Sequence, residues 1–386
     1  MRKTVFFFLI LLISATCEAA TYWVDPAGVE NTNCDAISVT SCGATACKSL
    51  EYLIENAGAT INEGDTIKLC PGTYDGTSGL FYSGTNNRIS ASFGSGSGSL
   101  VIESSDYNNP VTIDIPASTS LNLIGSVSGN IKFKKINVTN TGATAIPFFK
   151  FGTVTRASSF EFEDSSLDWN NAATPPISMS TTYSYNHTWT FRRSKILNVG
   201  NTSNYLVLFN NNAAVTLTLN FESCLIKGLS TIIGTEPALA TRVLNMKNNT
   251  IIGGTSPSHY IFDTGAAWTG VVTGNIFLLD NTFYRAMAVE VAPDCSSGRC
   301  APPTGWTVKG NVIWKNPLNY SVGELDGVFC GNAETFVYDE TNYFIDPGFS
   351  DPIVNNDYTP TNGLITGNGY AANLPSLDIN GNAWRG

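Results

Sequence analysis

A short string recurs seven times in the middle of this 386-residue chain, at intervals of 25 to 36 residues. Each string begins with an apolar residue, continues with mostly polar residues, and returns to an apolar residue at its sixth position. The lead residues are Phe133, Phe162, Phe191, Phe221, Met246, Val272 and Val308. Such fixed-period similarity predicts stacked supersecondary units, none of which can bury its apolar face alone.

Within each string, apolar and polar residues alternate, which is typical of a strand with one buried face. A second apolar segment lies between successive strings, for example at 147–151, 206–209 and 260–263. Each repeat therefore predicts about three short strands around one axis, and such a turn is called a coil below. The sequence predicts an all-β solenoid of about nine to ten coils.

Equivalent positions of the string should stack above one another when the coils pack in register. The sixth position forms an apolar core column of Val138, Leu167, Ile196, Ile226, Ile251, Phe277 and Ile313. The fourth position forms a polar column at a bend, made of Ser165, Ser194, Cys224, Asn249, Asn275 and Asn311. We expect asparagine there because it accepts the left-handed conformation of a bend and its amide can bond both neighbours.

Charged residues fill the positions beside this bend with alternating sign. The second position reads Lys134, Glu163, Arg192, Glu222 and Lys247, and the third begins with Lys135, Asp164 and Arg193. One interpretation is an outward ladder of cross-strand ion pairs, each of small energy. The other interpretation is a charged strip that binds carbohydrate.

The first twenty residues predict a signal peptide. A basic start is followed by an apolar run at 5–13, too short to span a bilayer, and by small residues. Cleavage is expected near Ala19 or Ala20, and Cys17 as a lipoprotein cysteine is the alternative. Later stretches lack the length and apolarity of a membrane span, so we expect a secreted, extracellular or periplasmic protein without a transmembrane segment.

Composition excludes one class of partner and directs attention to disulfides. The net charge is −10 and 13% of residues are charged, so the chain has no basic footprint for nucleic acid. Eight cysteines remain after position 17, and in an exported chain they indicate disulfides. We expect the paired cysteines to be Cys34, Cys42, Cys47, Cys70, Cys295 and Cys300, with the pairing of the first four open. Cys224 and Cys330, three coils apart, should be buried and free.

A helical pattern occurs at 48–57, where Leu50, Leu53, Ile54 and Ala57 share one face, and it predicts a lid over the first coil. The segments Thr21-Tyr-Trp-Val-Asp-Pro-Ala-Gly and Gly64-Asp-Thr-Ile-Lys-Leu-Cys-Pro-Gly-Thr-Tyr, together with this helix, resemble the opening of secreted bacterial proteins of the pectate-lyase-like superfamily. The tail, with Asp346-Pro-Gly-Phe-Ser-Asp-Pro, is similar to their closing segment.

This resemblance implies a right-handed parallel β-helix with a short N-terminal capping helix. The expected organisation is a signal peptide at 1–20, a disulfide-rich cap at 21–63, the β-helix at 64–345 and a closing segment at 346–386. Relatives of this kind include lyases that use clustered aspartates for calcium, and others that use a Lys/Arg pair on neighbouring coils. The repeats contain no three-Asp cluster, and Lys227 with Arg242 or Lys247 carries no motif. We therefore expect no metal and no cofactor.

An acidic pair is the candidate catalytic site. Alignment of the second strand row gives a column of Phe151, Met179, Phe209, Gly234, Asp263, Glu290 and Cys330. Asp263 and Glu290 would then face each other on adjacent coils, which raises one pKa and suits acid–base chemistry on glycosidic bonds. His259 and Arg285 would border the pair. The sugar-binding aromatics would be Tyr260, Trp268 and Tyr284; solvated strand-end acids are the alternative.

Two functions follow from these patterns. The first is a secreted polysaccharide lyase or glycoside hydrolase that works on the long strand face. The second is a noncatalytic surface or matrix protein, such as an adhesin, that binds polysaccharide or cell-surface glycans. The sequence does not decide between them, and the oligomeric state stays open.

Overall fold

A computed structural model describes the chain in separate ranges, and structural statements below concern these residues. The described ranges are 19–30, 34, 39–56, 61–75, 98–115, 129–140, 149–151, 157–169, 176–179, 186–198, 205–209, 216–229, 231–233, 241–253, 268–279, 306–315, 349–351 and 357–361.

The longest element is sheet 1, whose ten described strands are all parallel. Strands are numbered in chain order. Sheet 1 consists of β1 (Thr21–Val29), β2 (Thr66–Leu69), β4 (Leu100–Ser104), β6 (Asn130–Lys134), β9 (Ser158–Glu163), β12 (His187–Arg192), β15 (Thr216–Glu222), β18 (Thr241–Lys247), β20 (Trp268–Thr273) and β22 (Trp306–Lys309).

Two further parallel sheets accompany sheet 1. Sheet 2 consists of β3 (Thr73–Tyr74), β5 (Val111–Ile115), β7 (Ile136–Asn140), β10 (Ser166–Asp168), β13 (Lys195–Leu197), β16 (Leu225–Leu229), β19 (Thr250–Gly253), β21 (Ile276–Leu279) and β23 (Val312–Lys315). Sheet 3 consists of β8 (Phe149–Phe151), β11 (Ile177–Met179), β14 (Tyr205–Phe209) and β17 (Thr231–Ile233). Near the C-terminus, β24 (Phe349–Asp351) and β25 (Asp357–Pro360) form an antiparallel pair.

From β6 to β17 the chain visits sheets 1, 2 and 3 in turn and advances by one strand in each sheet per repeat, which is the topology of a parallel β-helix solenoid. The register confirms the predicted columns. The seven lead residues of the strings pair in one row from Phe133 to Val308. The sixth positions pair in one row from Val138 to Ile313. The ten strands of sheet 1 agree with the predicted number of coils.

Aromatic and aliphatic side chains fill the interior. Phe162, Phe191 and Phe221 are at most 1% exposed, and their ring centroids lie 6.1 and 5.2 Å apart. Each ring thus contacts the ring of the next coil, which adds specific aromatic contacts to ordinary apolar burial. This row is the core that the repeat predicts.

The bend between sheets 1 and 2 corrects one prediction. The left-handed residue is at the third position of the string, not at the fourth, with φ between 46° and 66° in seven consecutive coils. These residues are Lys135, Asp164, Arg193, Ser223, Asn248, Gly274 and Gly310. A left-handed residue turns the chain sharply and frees the fourth side chain to point along the solenoid axis.

The fourth position forms the inner ladder, the column from Ser165 to Asn311. The Oδ1 atom of Asn275 accepts hydrogen bonds from Nδ2 and the backbone N–H of Asn249, at 2.8 and 2.9 Å. Its Nδ2 donates to Oδ1 of Asn311 and to the carbonyl of Met246, both at 3.0 Å. Backbone groups that the bend removes from the sheets are thus paired inside the protein.

The N-terminal end contains the helical segment that the sequence predicts. The described helix is a π-helix at Tyr52–Asn56, shorter than the predicted range. Leu50 and Leu53 are fully buried, whereas Ile54 is half-buried, and Ala57 lies outside the described residues. The helix therefore packs through part of its predicted face.

Candidate functional site

Charged side chains line the outer face of sheet 1. We call it the charged strip and define it as Lys68, Glu103, Tyr107, Lys132, Lys134, Glu161, Glu163, Asp164, Arg192, Arg193 and Glu222. Its residues come from β2, β4, β6, β9, β12 and β15, from the bends that follow, and from the turn at Tyr107. Period-two alternation places them outside because the phenylalanines between them face the core.

Ion pairs run along the strip as the ladder interpretation predicts. Arg192 Nε lies 2.9 Å from a carboxylate oxygen of Glu222, and its Nη1 lies 3.2 Å from Glu161. Lys132 pairs with Glu163 and with Glu161. The ladder is wider than predicted, since Lys132 and Glu161 stand two residues before the repeat's second position.

Arg193 links two carboxylates at the bend. It donates from Nε to Asp164 at 2.7 Å and from Nη2 to Glu163. Hydrogen bonding to Asp164 raises the pKa of Arg193 despite burial. Burial alone would raise the pKa of Glu163, but hydrogen bonds and charge from Lys132 and Arg193 hold it below its ordinary value. Arg193 and Glu163 therefore both stay ionised at neutral pH.

Tyr107 is a feature of the strip that the sequence analysis missed. Its side chain is 43% exposed, the one exposed large apolar side chain among the described residues. Its hydroxyl donates to Glu103, while the Nζ atoms of Lys68 and Lys134 lie 5.8 and 5.2 Å from its ring centroid. Nothing in the local sequence distinguishes it from the other fourteen tyrosines, since the two lysines beside its ring come from neighbouring coils.

Glu103 anchors the hydroxyl of Tyr107. Burial would raise the pKa of this carboxyl, but hydrogen bonds from Lys68 and Tyr107 lower it overall. Burial and the Glu103 carboxylate in turn raise the pKa of the Tyr107 phenol. The phenol is therefore a neutral donor and the carboxyl an ionised acceptor over the physiological pH range.

The predicted catalytic residues Asp263, Glu290, His259 and Arg285 lie outside the described residues, as do Tyr260 and Tyr284. Trp268 is the first residue of β20 and pairs in register with Arg242. These assignments stay predictions.

The register of sheet 3 bears on the column that contains the acidic pair. Phe151, Met179 and Phe209 pair as predicted. In the next coil, Tyr205 pairs with Thr231 and Val207 with Ile233, an offset of 231 − 205 = 26 residues. The predicted alignment of Phe209 with Gly234 needs an offset of 25, but Gly234 and the later members of the column lie outside the described residues, so this part of the column stays a prediction. Its outcome matters because a one-residue shift exchanges the two faces of a strand.

The structure does not bring together the basic residues considered for a Lys/Arg pair, which are Lys227, Arg242 and Lys247. Lys227 belongs to β16 in sheet 2, whereas Lys247 stands on the outer side of β18 in sheet 1. Arg242 occupies an inward position of β18 and is 1% exposed. Burial lowers its pKa to about 10. These residues do not form the Lys/Arg pair of the lyase precedent.

His187 is a second ionisable group inside the coil that the sequence analysis did not identify. It shares an inward column with Leu217 and Arg242, two coils away from the latter. The imidazole is 1% exposed, and burial lowers its pKa to about 4. His187 is therefore neutral at physiological pH.

The structure settles the pairing of the N-terminal cysteines. Cys34 bonds to Cys47 and Cys42 bonds to Cys70, with Cα–Cα distances of 4.7 and 5.6 Å. The carboxylate of Asp25 and the sulfurs of Cys42 and Cys70 lie within 4.8 Å of one another. Because the two sulfurs are bonded together, neither is a thiolate ligand for a metal.

The other cysteines divide between a confirmed prediction and untested ones. Cys224 is free and 1% exposed, as predicted, and burial raises its pKa to about 12. Its thiol donates to the carbonyl of Phe191, so this cysteine serves the inner ladder. Cys295, Cys300 and Cys330 lie outside the described residues.

A hollow lies on the outer side of sheet 2. Lys195, Leu197, Asn198, Leu225 and Lys227 line it, and its volume is about 220 Å³. Pockets that bury a small ligand usually measure about 300–1,000 Å³. The charged strip is therefore the stronger candidate.

Comparison with protein-family models, curated proteins and solved structures finds no match to this chain. The fold class rests on strand pairing, and the resemblance to the pectate-lyase-like superfamily stays a prediction from the sequence. Among the described residues, we find no helix with the length and apolarity needed to cross a membrane.

Proposed function

We propose that the protein is exported and binds polysaccharide or cell-surface glycan along the charged strip. The main observation in support is the exposed Tyr107 ring, which lies beside ionised and hydrogen-bonding side chains on a regular sheet face. Aromatic rings offer an apolar surface with a polar edge, which suits the alternating C–H and O–H groups of a sugar. Carboxylates, ammonium groups and guanidinium groups supply acceptors and donors for sugar hydroxyls.

Charge balance supports a hydroxyl-rich ligand more than a polyanion. The strip contains five cations and five carboxylates: Lys68, Lys132, Lys134, Arg192 and Arg193 against Glu103, Glu161, Glu163, Asp164 and Glu222. Nucleic acids and highly charged polymers require an excess of cations. A neutral or weakly acidic glycan needs no such excess.

Export is supported by the N-terminal residues and the cysteines of the chain. The first twenty residues have the order of a signal peptide, with a basic start, an apolar run and small residues. The two disulfides fit an oxidising compartment. Glycans of a cell surface or matrix are accessible to a protein released there.

The test is a binding assay of the protein against a panel of neutral and acidic glycans. Tyr107→Ala should weaken binding to the recognised glycan about tenfold, whereas Tyr107→Phe keeps the ring and most of the affinity. Thr112→Ala is the matched control, because Thr112 is exposed on the outer side of sheet 2. Absence of binding to every glycan, or unchanged binding by folded Tyr107→Ala, would contradict the proposal.

Catalytic activity is tested separately from binding, and Asp263 and Glu290 are the residues proposed for it. Absorbance near 235 nm would reveal the unsaturated products of a lyase, and new reducing ends would reveal a hydrolase. If turnover occurs and Asp263→Asn with Glu290→Gln abolishes it, the enzyme interpretation stands. Binding without turnover favours the noncatalytic adhesin or matrix protein.

A further inference from the structure

The turn before β2 contains a carboxylate that has few exposed atoms. Asp65 is 4% exposed. Its Oδ1 accepts a hydrogen bond from the backbone N–H of Ala20 at 2.8 Å, and its Oδ2 accepts one from the N–H of Asn62 at 2.8 Å. Asp65 thus joins the start of β1 to the start of β2.

This carboxylate lacks a cationic partner among the described residues. Its side-chain contacts there are the two backbone amides, which are dipoles and carry no net charge. A carboxylate buried without a countercharge is costly, since amide hydrogen bonds recover only part of its hydration. A positive charge at either amide nitrogen would therefore stabilise the fold.

Ala20 is the position where the chain could supply that charge. It is half-buried and in place for β1, because its carbonyl accepts the N–H of Thr66 at 2.8 Å. Ala19, the residue before it, is exposed. If Ala20 were the first residue of the mature protein, its amide nitrogen would become an α-ammonium 2.8 Å from Asp65 Oδ1.

The sequence around this bond fits a signal-peptidase site. Small residues are required at the first and third positions before the cleaved bond. For the bond between Ala19 and Ala20 these positions hold Ala19 and Cys17. For the next bond, the third position would hold the charged Glu18, and cleavage there would remove the Ala20 contacts to Asp65 and Thr66.

We propose that signal peptidase cleaves between Ala19 and Ala20, and that the new α-ammonium of Ala20 forms an ion pair with the carboxylate of Asp65. This inference rests on the export proposed above. One water molecule is consumed: its oxygen bonds to the Ala19 carbonyl carbon, the C–N bond breaks, and Ala19 leaves as a carboxylate. The Ala20 nitrogen gains protons and becomes the ammonium. Cleavage thus supplies the buried Asp65 carboxylate with a positively charged partner at the start of β1.

The first experiment determines the N-terminus of the exported protein by Edman sequencing and intact mass. The expected first residue is Ala20. A mature chain that begins at Thr21, or one with a lipid-modified Cys17, overturns the proposal. Glycan binding is measured on the same sample, so failure of this inference leaves the proposed function separately testable.

The second experiment tests the ion pair through the melting temperature. Chains beginning at Ala20 are prepared with a free amine or an N-acetyl group, each with Asp65 or with Asp65→Asn. Acetylation should lower the Tm by about 2 °C when Asp65 is present and leave it unchanged in D65N. Equal effects of acetylation in both backgrounds overturn the pairing.

Two further variants serve as controls for the acetylation experiment. Asp106→Asn changes another aspartate that accepts a backbone amide, at an exposed turn, and the effect of acetylation should persist in it. A chain that begins at Glu18 keeps Asp65 but returns Ala20 to an uncharged amide, and it should melt with the acetylated chain. If it melts with the free-amine chain, the proposal is wrong, even where D65N does not fold.

Discussion

The inner ladder and the charged strip both run along the solenoid, but they are polar in different ways. The inner ladder from Ser165 to Asn311 is at most 6% exposed, and its side chains bond the backbone of neighbouring coils. In the charged strip, Arg192 and Glu222 are 34% and 25% exposed and bond each other. One column replaces lost backbone hydrogen bonds, whereas the other pairs charges that water could also solvate.

This difference explains how sensitive each column should be to substitution. A buried group that loses its partner costs about 1–3 kcal/mol, because water cannot replace the bond. An exposed ion pair contributes about 0.2–1 kcal/mol, because water and salt compete for both charges. We therefore expect stability to depend on the inner ladder, while the strip is free to change for binding.

The largest effect is expected at Asn275, whose amide contacts three neighbours inside the bend. Asn275→Ala leaves buried groups of Asn249, Asn311 and Met246 without these hydrogen bonds. The free energy of unfolding should fall by about 4 kcal/mol. Denaturant unfolding measures this loss.

Asn245 supplies the matched control for the inner ladder. It is also an asparagine in a stacked column, and its Nδ2 donates to Asn220 at 2.9 Å, but it is half-buried on the outer face of sheet 1. Asn245→Ala should cost less than about 1 kcal/mol. A loss equal to that of Asn275→Ala would break the proposed contrast between inside and outside.

The buried His187 should make the stability of the fold depend on pH, unlike the uncharged side chains of the inner ladder. Its folded pKa of about 4 lies below the ordinary value of 6.5, so the unfolded chain binds more protons between these values. Stability should therefore be fully present above pH 6.5 and fall as the pH decreases toward 4, by up to about 3 kcal/mol. His187→Gln should flatten this window in pH-dependent denaturation. An unchanged slope would mean that other groups cause acid sensitivity.

Ser223 lies at the bend between the charged strip and the inner ladder. We expect the fold to be less stable with serine at this position than with glycine. The φ of Ser223 is 56°, and its buried hydroxyl has no hydrogen-bond partner in the described structure. Gly274 and Gly310 occupy the same position in later coils. Ser223→Gly should raise the free energy of unfolding by about 1 kcal/mol, since glycine accepts this conformation without a Cβ.

Ser223→Ala separates the two causes. Alanine removes the unpartnered hydroxyl but keeps the Cβ in the left-handed conformation. It should therefore give a smaller gain in thermal and denaturant stability than Ser223→Gly. If glycine does not exceed alanine, the left-handed backbone is not the source of the strain.

The smallest effect is expected for the outer ion pair of Arg192 and Glu222. A double-mutant cycle with Arg192→Ala and Glu222→Ala should give a coupling of about 0.5 kcal/mol that disappears in 1 M salt. A salt-resistant coupling of several kcal/mol would instead make the strip part of the stabilising framework.

The repeat determined the main features of the fold. Alternation assigned the faces of the strands, and the period put residues such as Phe133 and Phe162, or Val138 and Leu167, side by side. These predictions succeeded because a solenoid makes equivalent residues of successive repeats into neighbours. The bend was less clear, because Asn248 and Asn249 both suit it, and the backbone at position three adopts the left-handed conformation.

Long-range contacts outside the repeat required the structure. The sequence left the pairing of Cys34, Cys42, Cys47 and Cys70 open, and it gave no signal for the Tyr107 contacts or for the Ala20–Asp65 hydrogen bond. The predicted acidic pair depends on loop lengths that the repeat does not determine, because a one-residue shift of register changes the face of a side chain.

The sequence by itself determined the periodic part of this protein: its solenoid class, its core rows and its alternating outer charges. Only the tertiary structure decided which cysteines bond, which bend residue is left-handed and which aromatic side chain is exposed beside the charged strip. The physical reason is that a repeat specifies neighbours by its period, whereas caps, turns and loops meet through packing in three dimensions.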